Sequence, residues 1–382
     1  MDILAIEPFY GGSHRAFLDG WQAHSSHTWQ THGLPDRHWK WRMRHAPVTL
    51  AAELRSVQAD VLWCSDMLNL AELRGLAPHL AEIPNVIYFH ENQLTYPVRI
   101  ERKRDMHFAF TNIVSALAAD AVWFNSAYHR DVFLEAAGEF LRRMPDYPLP
   151  GAVEQIRERA EVWPQGIYPI ANSANANEPL HILWAARWEF DKGPEVFFAA
   201  LDFLARRRID FSVSVIGEQS RRQPAIFAKA KSRHESRIRH WGFQATRGDY
   251  EAVLASADVV VSTAIHEFFG VAVAEAVSAG ALPLAPWALA YPETLAGLES
   301  EACFHDGTVE DLANRLEACV CRHQAGELWR GDRKAGQELM QRFHWPRLAP
   351  KLDSALTAVA RPSLVSQSSQ RLSLGQSTGS SL

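Results

Sequence analysis

The chain is poor in cysteine, has no long apolar run and carries no excess of positive charge. Four cysteines in 382 residues, Cys64, Cys303, Cys319 and Cys321, are too few for a disulfide scaffold. The Cys-x-Cys spacing of the last two does not fit a zinc knuckle, so reduced, packed thiols are expected. No apolar stretch reaches the roughly 18 residues of a membrane span, and Asp2–Glu7 carries an early acid where an export signal would carry bases. A soluble, cytoplasmic protein without membrane contact is expected. The net charge of −5 gives no overall nucleic-acid signature, so any basic surface must be local. Seventeen histidines occur without His-Glu-x-x-His or comparable spacing, and no metal is expected. No G-x-G-x-x-G follows the first strand, which disfavours a dinucleotide oxidoreductase.

What the chain does have is a strong alternation of strand-like and helix-like runs. Strands are predicted at Asp2–Glu7, Asp60–Ser65, Asn85–His90, Ala121–Asn125 and Glu161–Trp163, with helices such as Arg102–Ala118 and Ala127–Ala137 between them. A second series follows at His181–Ala186, Phe211–Gly217, Ile238–Gly242, Asp258–Thr263 and Leu282–Leu284, with helices including Pro194–Arg207 and Asp249–Ala255. This order predicts an α/β protein built from two Rossmann-like, doubly wound domains with parallel sheets. At 47% hydrophobic the chain can fill two cores. The expected divisions are an acceptor domain over 1–168, a hinge over 169–180, a donor domain over 181–345, a C-terminal helix over 346–360 and a disordered tail over 361–382. The tail has eight serines in 22 residues. Ligands of such sheets bind beyond the carboxyl ends of the strands, here in a cleft between the two domains.

Glu267 and Glu275 stand eight positions apart, from a loop into a predicted helix Val271–Ser278 that follows the apolar run Asp258–Ser262. The free N–H groups at such a helix start attract a diphosphate, and Phe269, Gly270 and Val271 carry the backbone that would approach it. Glu267 is placed to accept bonds from sugar hydroxyls and Glu275 from a ribose, since each carboxylate oxygen accepts more than one hydrogen bond. Arg187 and Lys192, at the end of the His181–Ala186 strand, would hold the phosphates, Arg187 as a fork and Lys192 as a point charge. This combination resembles the C-terminal half of family-4 retaining glycosyltransferases with the GT-B fold, in which two such domains face each other across a cleft.

Cleft residues of the first half are dense as well. Gly11 and Gly12 follow the first strand, before a helix, where backbone N–H groups can face a phosphate or a sugar, although a plain tight turn fits equally. His90, Glu91, Asn92 and Gln93 end a strand as four consecutive polar groups. His90 can bond the transferred sugar or relay a proton, and Glu91 to Gln93 can orient hydroxyls. Arg37, Lys40, Arg42 and Arg44 alternate with Trp39 and Trp41, and no acid lies between positions 37 and 45. That pattern suits unpaired RNA, with charges on phosphates and indoles on bases. Arg99, Arg102, Lys103 and Arg104 form a second basic cluster just after the His90 motif. A third set between Arg221 and Arg239 also fits an exposed helix.

The segments 7–14, 34–44, 89–99 and 124–126, which include Glu7, His14, Trp39, Trp41 and His90, closely resemble tRNA-queuosine α-mannosyltransferases. The resemblance implies transfer of mannose from GDP-mannose to the cyclopentenediol of queuosine in the anticodon of tRNA-Asp, with retention and without a cofactor. It casts His90, Arg187, Lys192 and Glu267 as catalytic residues and adds His14 to the acceptor side. Alternative readings are a related transferase with a lipid or polysaccharide acceptor, and a non-catalytic nucleotide-sugar or RNA-binding module. The first needs an amphipathic membrane helix in the first domain, and no long stripe of that kind is present. The joint presence of Arg187, Lys192, Glu267 and Glu275 argues against the second. Oligomeric state is not legible in the sequence.

Overall fold

Strands buried on both faces need helices above and below, and the crossover from one parallel strand to the next supplies them. In the computed structural model, which describes residues 1–98, 104–173, 178–219, 224–298, 300–329 and 334–361, this happens twice. The first sheet contains Asp2–Glu7 (β1), Thr28–Gly33 (β2), Val61–Ser65 (β3), Asn85–Phe89 (β4), Ala121–Phe124 (β5) and Ala160–Val162 (β6), in the order β2-β1-β3-β4-β5-β6. The second contains His181–Ala185 (β7), Ser212–Ile216 (β8), Ile238–Gly242 (β9), Val259–Val261 (β10), Leu282–Pro286 (β11) and Phe304–His305 (β12), in the order β12-β11-β10-β7-β8-β9. All the pairings are parallel. β2 is absent from the sequence reading, and β12 enters it only as an apolar strand around Cys303, a residue that ends the short helix Ser300–Cys303 instead. β2 is an edge strand with polar, half-exposed residues and so lacks an apolar run, and β12 is two residues long.

Period-two alternation sorts the first core into two layers. Leu4, Ile6, Leu62, Cys64, Ile87 and Phe89 face one side, while Ile3, Ala5, Val61, Trp63, Val86 and Tyr88 face the other. The second layer is completed from far along the chain. Helix Trp345–Ala360 returns from the second sheet and packs Trp345, Leu348, Leu352 and Leu356 against Phe17, Trp21 and Trp63. Burying side chains of this size contributes roughly 1.5–3 kcal/mol apiece. Trp345 sits so close to Gly20 and Gly166 that a Cβ on either would lie 2.3 Å from the indole. Asp353, also buried, accepts hydrogen bonds from Trp21 Nε1, Ser25 Oγ and Ser26 N, each at 2.8 Å. The final helix thus belongs structurally to the first sheet. The chain crosses between sheets at two adjoining points, Ile167 and His344, joined by Ile167 N to Phe343 O at 2.9 Å and Trp345 N to Ile167 O at 3.1 Å.

Several boundaries move. The basic segment predicted without a secondary structure enters helix Trp39–Glu53, and the helix predicted from Arg102 is described from Met106, with Asp105 as its N-cap. Cys64, Cys303 and Cys319 are buried, but Cys321 is exposed on helix Val309–Gln324. Its place one turn-face away from Cys319 turns it to solvent rather than into the core. The expected tail lies, from residue 362 on, outside the described residues. Among the described residues no helix is long and apolar enough to cross a membrane.

Candidate active site between the two sheets

The carboxyl end of β10 leads through Thr263–Phe269 into helix Val271–Ser278. Gly270 caps it at φ 84, a left-handed conformation that favours glycine, and a Cβ there would meet the Tyr291 ring at 2.7 Å. No side chain caps the helix, so its first N–H groups stay open to an anion. A small cavity of about 30 Å³ lies against this end, lined among others by Ala185, Ala186, Lys192, Glu267, Gly270 and Tyr291. A much larger groove, about 1230 Å³, lies at the opposite edge of the first sheet beside Pro350 and Lys351. Two of its arginines, Arg74 and Arg159, are engaged by backbone carbonyls, whereas the smaller cavity gathers the residues that the sequence singled out, Lys192, Glu267 and Gly270.

Lys192 and Glu267 form one unit. Lys192, buried, donates to Glu267 Oε2 at 3.2 Å and to the His266 carbonyl at 3.0 Å, and lies 3.5 Å from Asp191 Oδ2. Burial alone would raise the Glu267 pKa, but the charge and hydrogen bond of Lys192 outweigh it and hold the carboxyl below its ordinary value. Lys192, read from the sequence as a point charge on phosphate, is thus also the partner of two carboxylates. Glu275 is likewise occupied. Its oxygens accept from Arg247 Nη2 at 2.6 Å and Tyr250 OH at 2.8 Å, partners that sequence reasoning missed. Arg187, by contrast, is exposed, and its guanidinium reaches across the cleft to the Tyr96 hydroxyl at 2.9 Å.

On the facing edge, β1, β3 and β4 bring Glu7, Asp66 and His90 together with His14 from helix Gly12–His24. Glu7 is fully buried, accepts from Phe9 N and Ser65 Oγ, and pairs with His14 Nδ1 at 3.1 Å. Burial would lower the His14 pKa, yet the charge and hydrogen bond of Glu7, helped by Asp66 and Glu91, push it up to about 9. Asp66 is pushed up to about 8, chiefly by burial. His90 goes the other way, held neutral by burial and by the charge of His14. Its ring stacks 4.0 Å from that of His14, its Nδ1 pairs with Gln165 at 2.9 Å, and its Nε2 has no partner among the described residues. Nε2 is thus the ring atom left for a hydrogen bond to a sugar or for a proton relay. One donor atom from each of Glu7, His14 and His90 lies within 4.8 Å of the others.

Both raised groups bind protons more tightly in the folded state. The His14 contribution is full below pH 6.5 and is lost as pH rises through about 9, and raised Asp66 lowers stability over the range from 3.8 to about 8. Thermal stability is therefore expected to fall as pH increases from 6.5 to 9, and a thermal-shift series on His14→Gln should show a flatter profile over that window.

Other predicted acceptor residues separate into groups. Asn92 is fully buried, and its Oδ1 accepts from Leu94 N, Thr95 N and Thr95 Oγ1. Its Oδ1 shapes the loop, while its buried Nδ2 has no partner among the described residues. Gln93 is buried too and holds Glu91 Oε1 at 3.1 Å. Arg104 supports the turn at Tyr96, since its Nη1 donates to the Tyr96 carbonyl at 2.8 Å. Arg99, Arg102 and Lys103 lie outside the described residues. Arg37, Lys40, Trp41 and Arg44 are exposed at the start of helix Trp39–Glu53. Trp39 packs down on Phe108 at 5.2 Å, Lys40 pairs with Asp105 at 3.3 Å, and Arg42 is tied to the Pro35 carbonyl at 2.8 Å. Gly11 owes its identity to Asp36, whose carboxylate a Cβ would strike at 2.0 Å, whereas Gly12, at φ 51, faces open space.

The edges touch at further points that the sequence did not reveal. Glu293 accepts from Ala127 N at 2.9 Å and Tyr128 N at 3.2 Å, capping helix Ala127–Arg142 from the other sheet. His129 stacks on Phe268 with ring centroids 3.7 Å apart.

Two parallel six-stranded sheets facing across such a cleft are the GT-B architecture. Solved structures of the same fold include Anabaena HepE in complex with UDP, with TM-score 0.69, 16% identity and coverage of 94% of this chain and 100% of that one. Another is sucrose-phosphate synthase from Thermosynechococcus elongatus, with TM-score 0.71, 14% identity and coverage of 94% and 99%. Residues 170–321 match the glycosyl transferases group 1 family, and residues 2–167 match the family described as tRNA-queuosine alpha-mannosyltransferase N-terminal. A tRNA-queuosine alpha-mannosyltransferase from Drosophila melanogaster is 38% identical over 308 residues, covering 76% of this chain and 81% of the relative. The chain belongs to the tRNA-queuosine alpha-mannosyltransferase family.

Proposed function

We propose that the enzyme transfers mannose from GDP-mannose to the cyclopentenediol of queuosine in the anticodon of tRNA-Asp, as a cytoplasmic reaction that retains the anomeric configuration and needs no metal. The reading is carried by one arrangement: a phosphate-binding edge, with Arg187 and the open start of helix Val271–Ser278, meets through Tyr96 the unit that matches the queuosine family. Arg187, with Lys192 behind it, balances the charge that grows on the leaving diphosphate, and Glu267 holds the hexose. Glu275, fixed by Arg247 and Tyr250, keeps lone pairs for the ribose. The bond from the anomeric carbon to the phosphate oxygen breaks as that carbon bonds to a queuosine hydroxyl oxygen, and the hydroxyl proton passes to the leaving phosphate. His90 Nε2 offers a hydrogen bond to the sugar, and closure between the sheets keeps water out.

The tRNA meets the exposed start of helix Trp39–Glu53, where Trp41 is 62% exposed, with its ring 5.1 Å from that of His45, and stacks on an anticodon base. Arg37 and Arg44 are better phosphate contacts than Arg42, which is held by Pro35 and His45. Arg37→Glu with Arg44→Glu is expected to weaken tRNA binding about tenfold or more at low salt and to lower the salt slope by roughly one to two. GDP binding by the same variant should be unchanged. Equal tRNA affinity and slope in filter binding would remove this helix from the acceptor interface.

A further inference from the structure

Tyr96 is fixed on every side. Its N–H donates to the Asn92 carbonyl at 3.2 Å, its own carbonyl accepts from Arg104 at 2.8 Å, and its ring meets His266 edge-on with centroids 5.2 Å apart. Its hydroxyl then accepts from Nη2 of Arg187. Among the described residues this is the only hydrogen bond of the Arg187 guanidinium, while Glu189 lies at 4.0 Å. An exposed arginine ordinarily samples many rotamers, and ordering it costs free energy when a ligand binds. A rigid partner that uses only Nη2 removes much of that cost and leaves Nε and Nη1 to form a fork on phosphate oxygens.

We propose that Tyr96 is a positioning residue for this reaction: it holds Arg187 in place for the donor diphosphate and ties that grip to the segment that carries Gln93. The inference rests on the donor assignment made above. Its physical content is that the phosphate-binding cation of one sheet is oriented from the other, so the diphosphate site is complete only when the two edges are closed. The small polar step of adding one hydroxyl to a ring accounts for it. Phenylalanine at this position retains the contact with His266 and loses the hold on Arg187.

The test is a double-mutant cycle on the full chain with Tyr96→Phe, Arg187→Ala and the pair, reading GDP affinity by calorimetry, kcat for transfer, and tRNA affinity. Tyr96→Phe is expected to weaken GDP binding severalfold and to lower kcat about tenfold, with tRNA affinity within twofold of the parent. In the Arg187→Ala background the same change is expected to do nothing further to GDP binding. Parental GDP affinity and kcat in Tyr96→Phe would overturn the proposal. So would an equal effect in both backgrounds, which would mean that Tyr96 acts without Arg187, or a loss of tRNA affinity matching the loss of kcat, which would mean that it merely shapes the loop. If Arg187→Ala itself leaves GDP binding and transfer intact, the donor assignment fails instead, an outcome distinct from an inert Tyr96→Phe.

Discussion

Arg187→Ala is expected to lower the rate of mannosyl transfer by about 10²–10³-fold while tRNA affinity stays within about twofold, because a preorganised charge on the developing anion is usually the largest single catalytic contribution. The guanidinium is exposed at the carboxyl end of β7 and faces the cleft, held by Tyr96. Removing it leaves no buried charge unpaired, so the fold should tolerate the change. The comparison that isolates its role is Arg187→Lys, which keeps the charge but loses the planar fork. An intermediate rate for lysine would assign part of the effect to charge and the remainder to geometry. Transfer at the parental rate in Arg187→Ala, measured under saturating donor, would show that the diphosphate sits elsewhere.

The second large effect is expected at Lys192 and is of a different kind. Lys192→Met removes the cation between Asp191 and Glu267, and Asp191 is only 1% exposed. Stranding a buried carboxylate in this way typically costs about 3–5 kcal/mol, a fall in melting temperature on the order of 10 °C for a unit of this size. Transfer should be lost as well. Glu267→Gln separates the two consequences. It keeps Lys192 paired with Asp191 and the His266 carbonyl, so stability should fall much less while transfer still declines through the lost hexose contact. The depressed Glu267 pKa gives the sign of the acid limb: its stabilisation is present above the unfolded value of 4.5 and disappears as pH falls through the lower folded value. Parental stability in Lys192→Met would contradict the ion-pair account.

The two sheets were legible because their strands are apolar runs spaced by helical periods; β2 escaped for its polarity, and β12, two residues long, was seen only as an apolar run around Cys303. On the donor side the types and spacing of Arg187, Lys192, Glu267 and Glu275 suggested one grouping, and the structure joins Lys192 to Glu267. What the spacing could not convey was occupancy. That Lys192 is enclosed by carboxylates, and that Arg247 and Tyr250 hold Glu275, depends on contacts between distant elements. The acceptor side was harder to read for the same reason. Asn92 and Arg104 look like substrate contacts in a list of polar residues, but a loop whose backbone groups need partners engages both. Tyr96 stood in plain view within the His90 motif, and its significance depends on a residue 91 positions away on another sheet.

The central claim is that this cleft mannosylates queuosine. The most direct measurement is to incubate the purified enzyme with GDP-mannose and queuosine-containing tRNA, digest the tRNA and analyse the nucleosides by mass spectrometry. The account predicts a single hexose added to queuosine, and none on the same tRNA carrying guanine in its place. Queuosine recovered unmodified, with enzyme that binds both GDP and the tRNA, would contradict it.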